Sequence, residues 1–557
     1  MPDQIGTPHS GFPNRPGRNR RTILCSAVTW VFVVGLAALI VWSTIQASYR
    51  IGRLASIPRV DDVIYMSHGA EWLRHLRDGS VGALVSAYIA DPPHSPWAAA
   101  VALAGFVVFG IHDWAPYAMT FIQVLIALAV AAVLLRRVRL GERLACLCVF
   151  ACSPVLVAGV QNFKPDYFAA ILTAAGIMLA LRRPFVHRAR WVDIVTGALF
   201  GAALFVKPSI FALTGVILCA SLGTAALLNT VSRRRLDIVP AIRRLAWTVL
   251  GCGLIAGPHF AVAAPKLARY MYDNMLGDRS DLWAPERSGA EHALFFLTGP
   301  SGQVMLGRML WVFGGLLALA LAVVAARRRR VEMLNAAGLT VMLLVTYLLA
   351  TLNWMKILTF GLTFQTLLAF SGIAAAAYIL GVQRGTRPRL PWASLSVLAA
   401  VAFSIGTLDW RFPQKAVDEV EGRRLTLRER DDVSRAVYQI VRGELVRPGM
   451  TVGVSAPHGD LNTSLLTLWL VRDGLDTRVY RIDDIGGPSA LRRLNTFDLL
   501  IVHNGRTPMV FARRTSKESL TRVRESVVSG DVFKRVRRVE VPGTAGAVEV
   551  YLRVREP

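Results

Sequence analysis

Long apolar runs recur along most of the chain, and they constrain the fold more than any other feature of the sequence. A helix crosses the hydrocarbon layer of a membrane with roughly 17 to 25 apolar residues, and some spans are shorter. Eleven runs are candidates, at residues 23–45, 115–135, 144–160, 167–182, 193–206, 209–229, 245–264, 303–326, 334–352, 357–381 and 391–408. The pattern predicts a polytopic α-helical membrane protein with about eleven transmembrane helices.

The composition supports this class of protein. Of the 557 residues, 54% are hydrophobic and only 18% are charged, which is too apolar for a soluble protein of this size. The net charge of +26 comes largely from arginine clusters beside apolar runs, such as "RRVRLGER" and "RRRR", which are typical of cytoplasmic loops. We therefore do not expect a nucleic-acid partner. All six cysteines lie inside apolar runs, which indicates neither a disulfide framework nor a zinc site.

The arginine clusters also predict a topology. With the N-terminus inside, the clusters fall on the cytoplasmic side, and residues 46–114, 161–166, 265–302, 353–356 and 409–557 fall outside. A further run at 95–111 would reverse every later loop if it crossed, so we interpret it as an interfacial or re-entrant helix in the first external loop, 46–114. Residues 1–22 are predicted to be disordered and cytoplasmic. We expect a multi-pass protein of the cytoplasmic (inner) membrane.

The chain changes character after residue 408. Short alternating stretches predict strands at 450–456, 476–482, 497–505, 533–542 and 547–554, and helices at 425–443, 461–474 and 516–529. This order predicts an external α/β domain over residues 409–557. It contains no glycine fingerprint for phosphate, and we assign it to acceptor binding or stability.

The first of three external stretches that combine acids with tight turns is "RVDDVIY". Asp61 and Asp62 begin an amphipathic helix just after the first span, and Tyr65 follows one turn later. One aspartate could serve only as a helix N-cap, and spacing alone favours neither this interpretation nor a catalytic one.

The other two stretches are "IADPPHSPW" and "QNFKPDYF". In the first, prolines would hold Asp91 or His94 rigidly before the re-entrant helix, although this stretch taken alone favours a simple turn between two surface helices. In the second, Asn162, Lys164 and Asp166 lie between two spans, where Asp166 could be another N-cap and Lys164 could reach lipid headgroups.

The topology brings all three stretches to one membrane face. Carboxylates grouped there can bind a divalent cation through oxygen, or act as a general base toward a hydroxyl. Basic side chains expected nearby could hold a phosphate; they are Lys207, Arg279, Arg287 and Lys356. Acids and cations at the lipid headgroup level suit a substrate that is a lipid phosphate ester.

The order of these motifs resembles the GT-C superfamily of integral-membrane glycosyltransferases, most closely the branch with protein O-mannosyltransferases and lipid A aminoarabinose transferases. The matching features are "DDVIY" after the first span, "DPPHSPW" closing the first external loop, "FKPDYF" in the second loop and "FVKPS" at a hairpin tip. The resemblance covers about residues 23–410, so residues 23–408 are the expected catalytic membrane domain.

The resemblance implies that a sugar moves from a polyprenyl-phosphate donor to a hydroxyl acceptor on the outer face, usually with inversion. The acceptor would be an envelope glycan, lipid or protein. Asp61 would be the principal acid, as base or metal ligand, with Asp62 beside it and Asp166 completing the site. Magnesium or manganese could be held by Asp61 and Asp166, while Lys207 and Lys356 would hold the donor phosphate. Asp62 stands where Glu is common, which leaves the acceptor class and metal requirement open.

Two other functions fit the sequence. One is a polysaccharide polymerase or ligase that uses the same donors, and the other is a non-enzymatic lipid or polysaccharide transporter. Few charges interrupt the middle of any span, which weakens the transporter alternative because ion-coupled carriers commonly keep ionisable groups there. Substitution of the external acids would distinguish an enzyme from a transporter.

Overall fold

The structure is a computed structural model in which most of the membrane part and the C-terminal sheet are described. The described residues are 16–50, 54, 60–181, 190–233, 238–275, 289–353, 357–382, 427–445, 447, 449–455, 463–475, 477–482, 494, 496–504, 525, 527, 532–540 and 547–554.

Helices dominate the membrane part. In chain order they are α1 (Pro16–Arg50), α2 (Val60–Arg77), α3 (Val81–Ala90), α4 (Pro96–Phe109), α5 (Ala115–Met119), α6 (Phe121–Leu134), α7 (Leu140–Ala151), α8 (Pro154–Gln161), α9 (Pro165–Leu181), α10 (Arg190–Val206), α11 (Phe211–Arg233), α12 (Ile238–Met275), α13 (Gly289–Leu294), α14 (Pro300–Met305), α15 (Met309–Arg327), α16 (Arg330–Leu352) and α17 (Leu362–Val382). A single 3₁₀ turn, Pro208–Ile210, connects α10 to α11.

The predicted spans agree with these helices. Within the described residues, seven helices are long and apolar enough to cross a membrane, or up to eight if α7 and α8, bent by 52°, form one broken span. The helices α9 and α10 are shorter, at 17 residues each. Every predicted span overlaps one helix or two consecutive helices, except the run at 391–408, which lies outside the described residues. The fold is that of a polytopic α-helical membrane protein.

The centre of the membrane part is α9. It packs against α6, α8, α10, α11, α16 and α17, and most of its side chains are buried. Small residues allow neighbouring helices to approach closely, as is usual where lipid supplies no hydrophobic driving force. A Cβ on Gly197 of α10, for example, would lie 1.8 Å from the Thr248 carbonyl oxygen of α12.

This close approach gives a test of the packing. Gly197→Ala should destabilise the protein by about 1–3 kcal/mol, since α10 and α12 would have to separate. Gly215→Ala is the matched control, because a Cβ on this glycine of α11 meets nothing within 4 Å. Alanine has the higher helix propensity, so the control should be neutral or slightly stabilising. Thermal unfolding in detergent measures both variants, and equal shifts would contradict the described packing.

The first external loop folds as three helices, α2, α3 and α4, and agrees with the predicted surface and re-entrant helices. The helix α4 has 14 residues, and Ser95 caps its N-terminus by accepting a hydrogen bond from the Ala98 amide at 3.2 Å. The apolar side of α2 is covered by protein, because α2 packs against α4 so closely that a Cβ on Gly69 would lie 2.6 Å from the Ala102 Cβ. This contact fixes the helix that begins with the paired aspartates.

The C-terminal part forms a five-stranded mixed sheet, as the alternating pattern predicts. Its elements are α18 (Leu427–Ile440), β1 (Thr451–Ser455), α19 (Thr463–Arg472), β2 (Arg478–Arg481), β3 (Leu499–Asn504), β4 (Phe533–Glu540) and β5 (Ala547–Arg553). The strand order is β2-β1-β3-β5-β4; β1 is parallel to β2 and β3, and β5 is antiparallel to β3 and β4. Most of the predicted helix 516–529 lies outside the described residues.

The sheet domain packs on the first external loop through α19. This helix is almost entirely apolar and buried, and it contacts α2 on one side and β2 on another. Asp113, in the loop before α5, has a pKa raised by burial and lowered in part by Arg472 and Arg435 of the sheet domain. The sheet domain and the first loop therefore lie on the same side of the membrane part.

Candidate functional site

Asp62 is buried near the start of α2, with only 2% of its surface exposed. Its carboxylate accepts a hydrogen bond from the Tyr117 hydroxyl at 2.5 Å and from the Phe163 amide at 3.4 Å. These two donors come from α5 and from the second external loop, so Asp62 joins three separate segments. A residue that served only as a helix cap would bind its own helix instead. The side chain of the neighbouring Asp61 lies outside the described residues.

The second external loop is short and held by its own backbone. The Lys164 amide donates to the Asn162 carbonyl oxygen at 2.7 Å, and the Asn162 side chain donates to the Ala158 carbonyl oxygen at 3.0 Å. Pro165 begins α9 and fixes its first turn, where Asp166 is located. Since Phe163 binds Asp62, the loop brings Asp62 and Asp166 into one region.

Asp166 forms an ion pair with Lys207, the residue at the tip of the α10–α11 hairpin. The Lys207 ammonium lies 3.0 Å from Asp166 Oδ2, and the two side chains are 15% and 9% exposed. The Lys164 charge acts on the same carboxylate. The Lys207 ammonium stabilises the negative charge of Asp166, which is largely shielded from water and would otherwise be unfavourable.

The hairpin tip is tied to the first external loop. The Ser95 hydroxyl donates to the Val206 carbonyl oxygen at 2.6 Å, immediately before Lys207. Ser95 itself is fully buried. The site therefore lies where the first loop, the second loop and the hairpin tip meet, as the topology predicts.

Other predicted site residues have different surroundings. Tyr65 is buried, with its ring centroid 6.3 Å from that of Phe163, so it packs beside the Asp62 contact. Asp91 forms an ion pair with Lys266 of α12, and both side chains are more than half exposed. The His94 ring lies 4.5 Å from that of Tyr270, also on α12. The described contacts of Asp91 and His94 thus connect the first loop to α12.

The polar face of α2 lies near the same junction with α12. Burial lowers the pKa of His68 and raises that of Glu71, while the charge of Asp91 acts on both groups. Both shifts favour the neutral forms of these side chains. The two side chains face each other on α2, with His68 Nδ1 3.9 Å from Glu71 Oε2.

Three predicted phosphate-binding residues lie outside the described residues. They are Arg279, Arg287 and Lys356. Their assignment stays a prediction.

Whether a divalent cation fits here depends on the ligand atoms that the site residues offer. Within the described ranges, no group of three or more His, Cys, Asp or Glu side chains could hold a metal ion. Asp166 faces an ammonium and Asp62 a hydroxyl, whereas magnesium and calcium need several oxygen ligands. The described residues alone do not fit a metal site. The cation predicted at Asp61 and Asp166 stays a prediction, since the Asp61 side chain is outside this set.

Sequence reasoning missed two residues that hold the site together, Tyr117 and Ser95. Each lies far along the chain from its partner, and each resembles an ordinary polar residue near the end of a helix. "DPPHSPW" drew attention to its acid and histidine, although its serine makes the contact with the hairpin tip. Only the tertiary packing identifies these roles.

The Tyr117–Asp62 contact predicts a stability effect. Tyr117→Phe removes the hydroxyl and leaves the buried Asp62 carboxylate without its closest described donor, so we expect a loss of about 1–3 kcal/mol. Tyr272→Phe is the control, because Tyr272 is 62% exposed. Thermal unfolding in detergent measures both variants. A Tyr117→Phe protein as stable as the control would contradict the contact.

Comparison with known proteins supports the fold. No protein-family model matches the sequence. No curated protein sequence matches it significantly. Among solved structures, ArnT from Cupriavidus metallidurans bound to undecaprenyl phosphate is similar with a TM-score of 0.54 and 13% identity, covering 96% of this chain and 98% of that chain. Its apo state gives 0.55 and 12% over the same shares.

A third structure is more distant. The oligosaccharyltransferase AglB from Archaeoglobus fulgidus, in complex with an inhibitory peptide and a dolichol-phosphate, has a TM-score of 0.44 and 11% identity, covering 97% of this chain and 75% of that chain. The likeness to ArnT spans nearly the whole of both chains and confirms the fold that the sequence resemblance implied, with a polytopic helical part followed by a C-terminal domain.

Proposed function

We propose that this protein is a glycosyltransferase that moves a sugar from a polyprenyl-phosphate donor to a hydroxyl acceptor on the outer face of the cytoplasmic membrane. The observation that carries the proposal is the Asp166–Lys207 ion pair, which lies at the junction of the external loops together with the buried Asp62. An acid and a cation of low exposure, at the end of membrane helices, suit a reaction on a lipid phosphate ester.

The chemistry requires a base on the acceptor side. The acceptor oxygen attacks the anomeric carbon as the bond from that carbon to the phosphate oxygen breaks, and the phosphate leaves with the electron pair. A carboxylate that accepts the hydroxyl proton during attack lowers the barrier. We assign this role to the acids at the start of α2 and α9, with Asp61 as the principal acid and Asp62 and Asp166 beside it. Attack from the face opposite the phosphate inverts the anomeric carbon.

The leaving phosphate requires a cation. Lys207 is paired with Asp166, at 3.0 Å. A bound donor would offer the ammonium a phosphate oxygen, and this contact strengthens as negative charge develops on the leaving group. Lys356, Arg279 and Arg287 remain candidates for further phosphate contacts.

The fold likeness supports a lipid donor. The ArnT structure is described as bound to undecaprenyl phosphate, and the likeness covers 96% of this chain. We infer that a polyprenyl phosphate enters from the membrane and reaches the junction of the external loops. The transferred group would be a hexosyl or pentosyl sugar, and the acceptor an envelope glycan, lipid or protein. The sheet domain, packed on α2, would lie outside the membrane.

Substitution of the principal acid tests the proposal against a transporter. Asp61→Ala should abolish transfer of labelled sugar to acceptor in isolated membranes. Asp78→Ala is the control, because this aspartate follows α2 and is exposed. Both variants should be present at wild-type amounts. Full transfer by a folded Asp61→Ala protein would overturn the catalytic role of this acid.

A further inference from the structure

The peptide unit between Val206 and Lys207 is fixed at both of its polar ends. Its N–H group, on Lys207, donates to the Ala203 carbonyl oxygen at 2.9 Å and completes the last turn of α10. Its carbonyl oxygen, on Val206, accepts a hydrogen bond from the Ser95 hydroxyl at 2.6 Å. The last carbonyl groups of a helix have no donor within that helix, so Ser95 supplies the donor from another segment. The plane of this peptide unit determines where the Lys207 side chain starts.

The backbone after Lys207 is restricted as well. Pro208 disfavours the helical conformation at the residue before it, and Lys207 has φ −138° and ψ 82°, outside the helical region. The Ile210 amide donates to the Lys207 carbonyl oxygen at 3.2 Å. Of the three hydrogen bonds around Lys207, the bond from Ser95 comes from outside the α10–α11 hairpin.

Ser95 is itself held in place. It is fully buried, and its hydroxyl also accepts a hydrogen bond from the Ala98 amide at 3.2 Å, at the start of α4. A hydroxyl can donate once and accept twice, so the two bonds are compatible. Two residues later, the ring centroid of Trp97 lies 4.9 Å from that of Phe168 on α9. The start of α4 therefore contacts both the α10–α11 hairpin and the helix that carries Asp166.

We propose that Ser95 is a positioning residue, which fixes the backbone of Lys207 so that the ammonium passes from Asp166 to the donor phosphate without a shift of the hairpin tip. This inference rests on the proposed function, because that function assigns Lys207 to the phosphate. The ammonium sits on a flexible four-carbon stem, so a fixed backbone limits the positions that it can reach. Without the Ser95 hydroxyl the tip would sample further positions, and only a fraction would align the ammonium with the leaving phosphate.

The kinetic test removes the hydroxyl. Ser95→Ala should lower kcat for sugar transfer about tenfold, within the roughly hundredfold that a small misplacement of a reacting group can cost, with a smaller change in the KM for the donor. Ser95→Cys has a similar size and a weaker donor, so its loss should be smaller. Ser80→Ala is the matched control, because Ser80 caps α3 in the same loop by accepting from the Ala83 amide at 2.9 Å. Equal losses in Ser95→Ala and Ser80→Ala would overturn the proposal.

A positioning role also requires that the loss depend on Lys207. In a Lys207→Gln background, Ser95→Ala should reduce the rate little further, because the ammonium that Ser95 positions is absent. The same fold-loss in both backgrounds would overturn the proposal, since a purely structural effect would act in either one.

Hydrogen–deuterium exchange tests the geometry without any activity. In Ser95→Ala, the backbone amides at 207–210 should exchange several-fold faster than in the wild-type protein, because the hairpin tip has lost its bond to the first loop. Exchange there should be unchanged in Ser80→Ala. Unchanged exchange in Ser95→Ala would overturn the proposal. If the wild-type protein transfers no sugar from any polyprenyl phosphate, the proposed function fails, and this measurement still decides whether Ser95 fixes the tip.

Discussion

Asp166→Asn is expected to lower the rate of sugar transfer by about 10²- to 10⁴-fold, the range for loss of a positioned acid or base. The amide has nearly the same shape as the carboxylate, but it can neither accept a proton nor balance the Lys207 charge. The rate is measured in single-turnover reactions with purified protein and labelled polyprenyl-phosphate sugar. Asp113→Asn is the matched control, since the charges that act on Asp113 include those of Arg472 and Arg435 in the sheet domain and not those of Lys207 or Lys164.

The substitution also leaves Lys207 in a region of low exposure without its carboxylate partner, which could cost stability. The double variant Asp166→Asn with Lys207→Gln removes both charges and should be more stable than Asp166→Asn alone. The double variant should remain as inactive as Asp166→Asn alone. Wild-type rates in a folded Asp166→Asn protein would rule out a catalytic role for this residue.

Lys207→Gln is expected to reduce transfer by about 10²- to 10³-fold, because a charge that stabilises the transition state is worth this much in a site shielded from water. The loss should appear mainly in kcat, since the contact strengthens as the phosphate leaves. Polyprenyl phosphate alone, the product of the donor, should also bind more weakly. Binding of this lipid is followed by the thermal stabilisation it produces.

Lys266→Gln is the control for Lys207→Gln. Lys266 also pairs with an aspartate of an external segment, Asp91, but both side chains are largely exposed. Exposed ion pairs contribute little to stability, so this variant should transfer sugar at close to the wild-type rate. If the two lysine variants lose activity equally, the site is not confined to the Asp166–Lys207 pair.

The architecture could be predicted from the sequence because hydrophobic length and arginine placement are local signals. Within the described residues the runs overlap helices, and all five predicted strands of the C-terminal part are present. The run at 95–111 was distinguished from a span by topology, and the 14-residue α4 agrees with that interpretation. The bend of 52° between α7 and α8 was not predicted, although the Ser153–Pro154 pair within that run is a known signal for a break.

The site could be predicted only in part. The sequence identified Asp62, Asp166 and Lys207, because charges at the ends of apolar runs are conspicuous. It did not indicate that Asp91 would pair with Lys266 of α12, since that contact depends on how α12 packs. Tyr117 and Ser95 were missed for a related reason. A neutral hydroxyl gains its role from a partner that tertiary structure brings close.

Sugar transfer from a polyprenyl phosphate at the junction of the external loops is the activity that we propose for this chain. The most direct measurement incubates the purified protein with a panel of radiolabelled polyprenyl-phosphate sugars and a membrane extract that supplies acceptors. We expect that label from at least one donor passes to an acceptor, and that Asp166→Asn protein does not support this transfer. Contradiction would come from a folded wild-type protein that leaves every donor intact, or from transfer that persists undiminished in the variant.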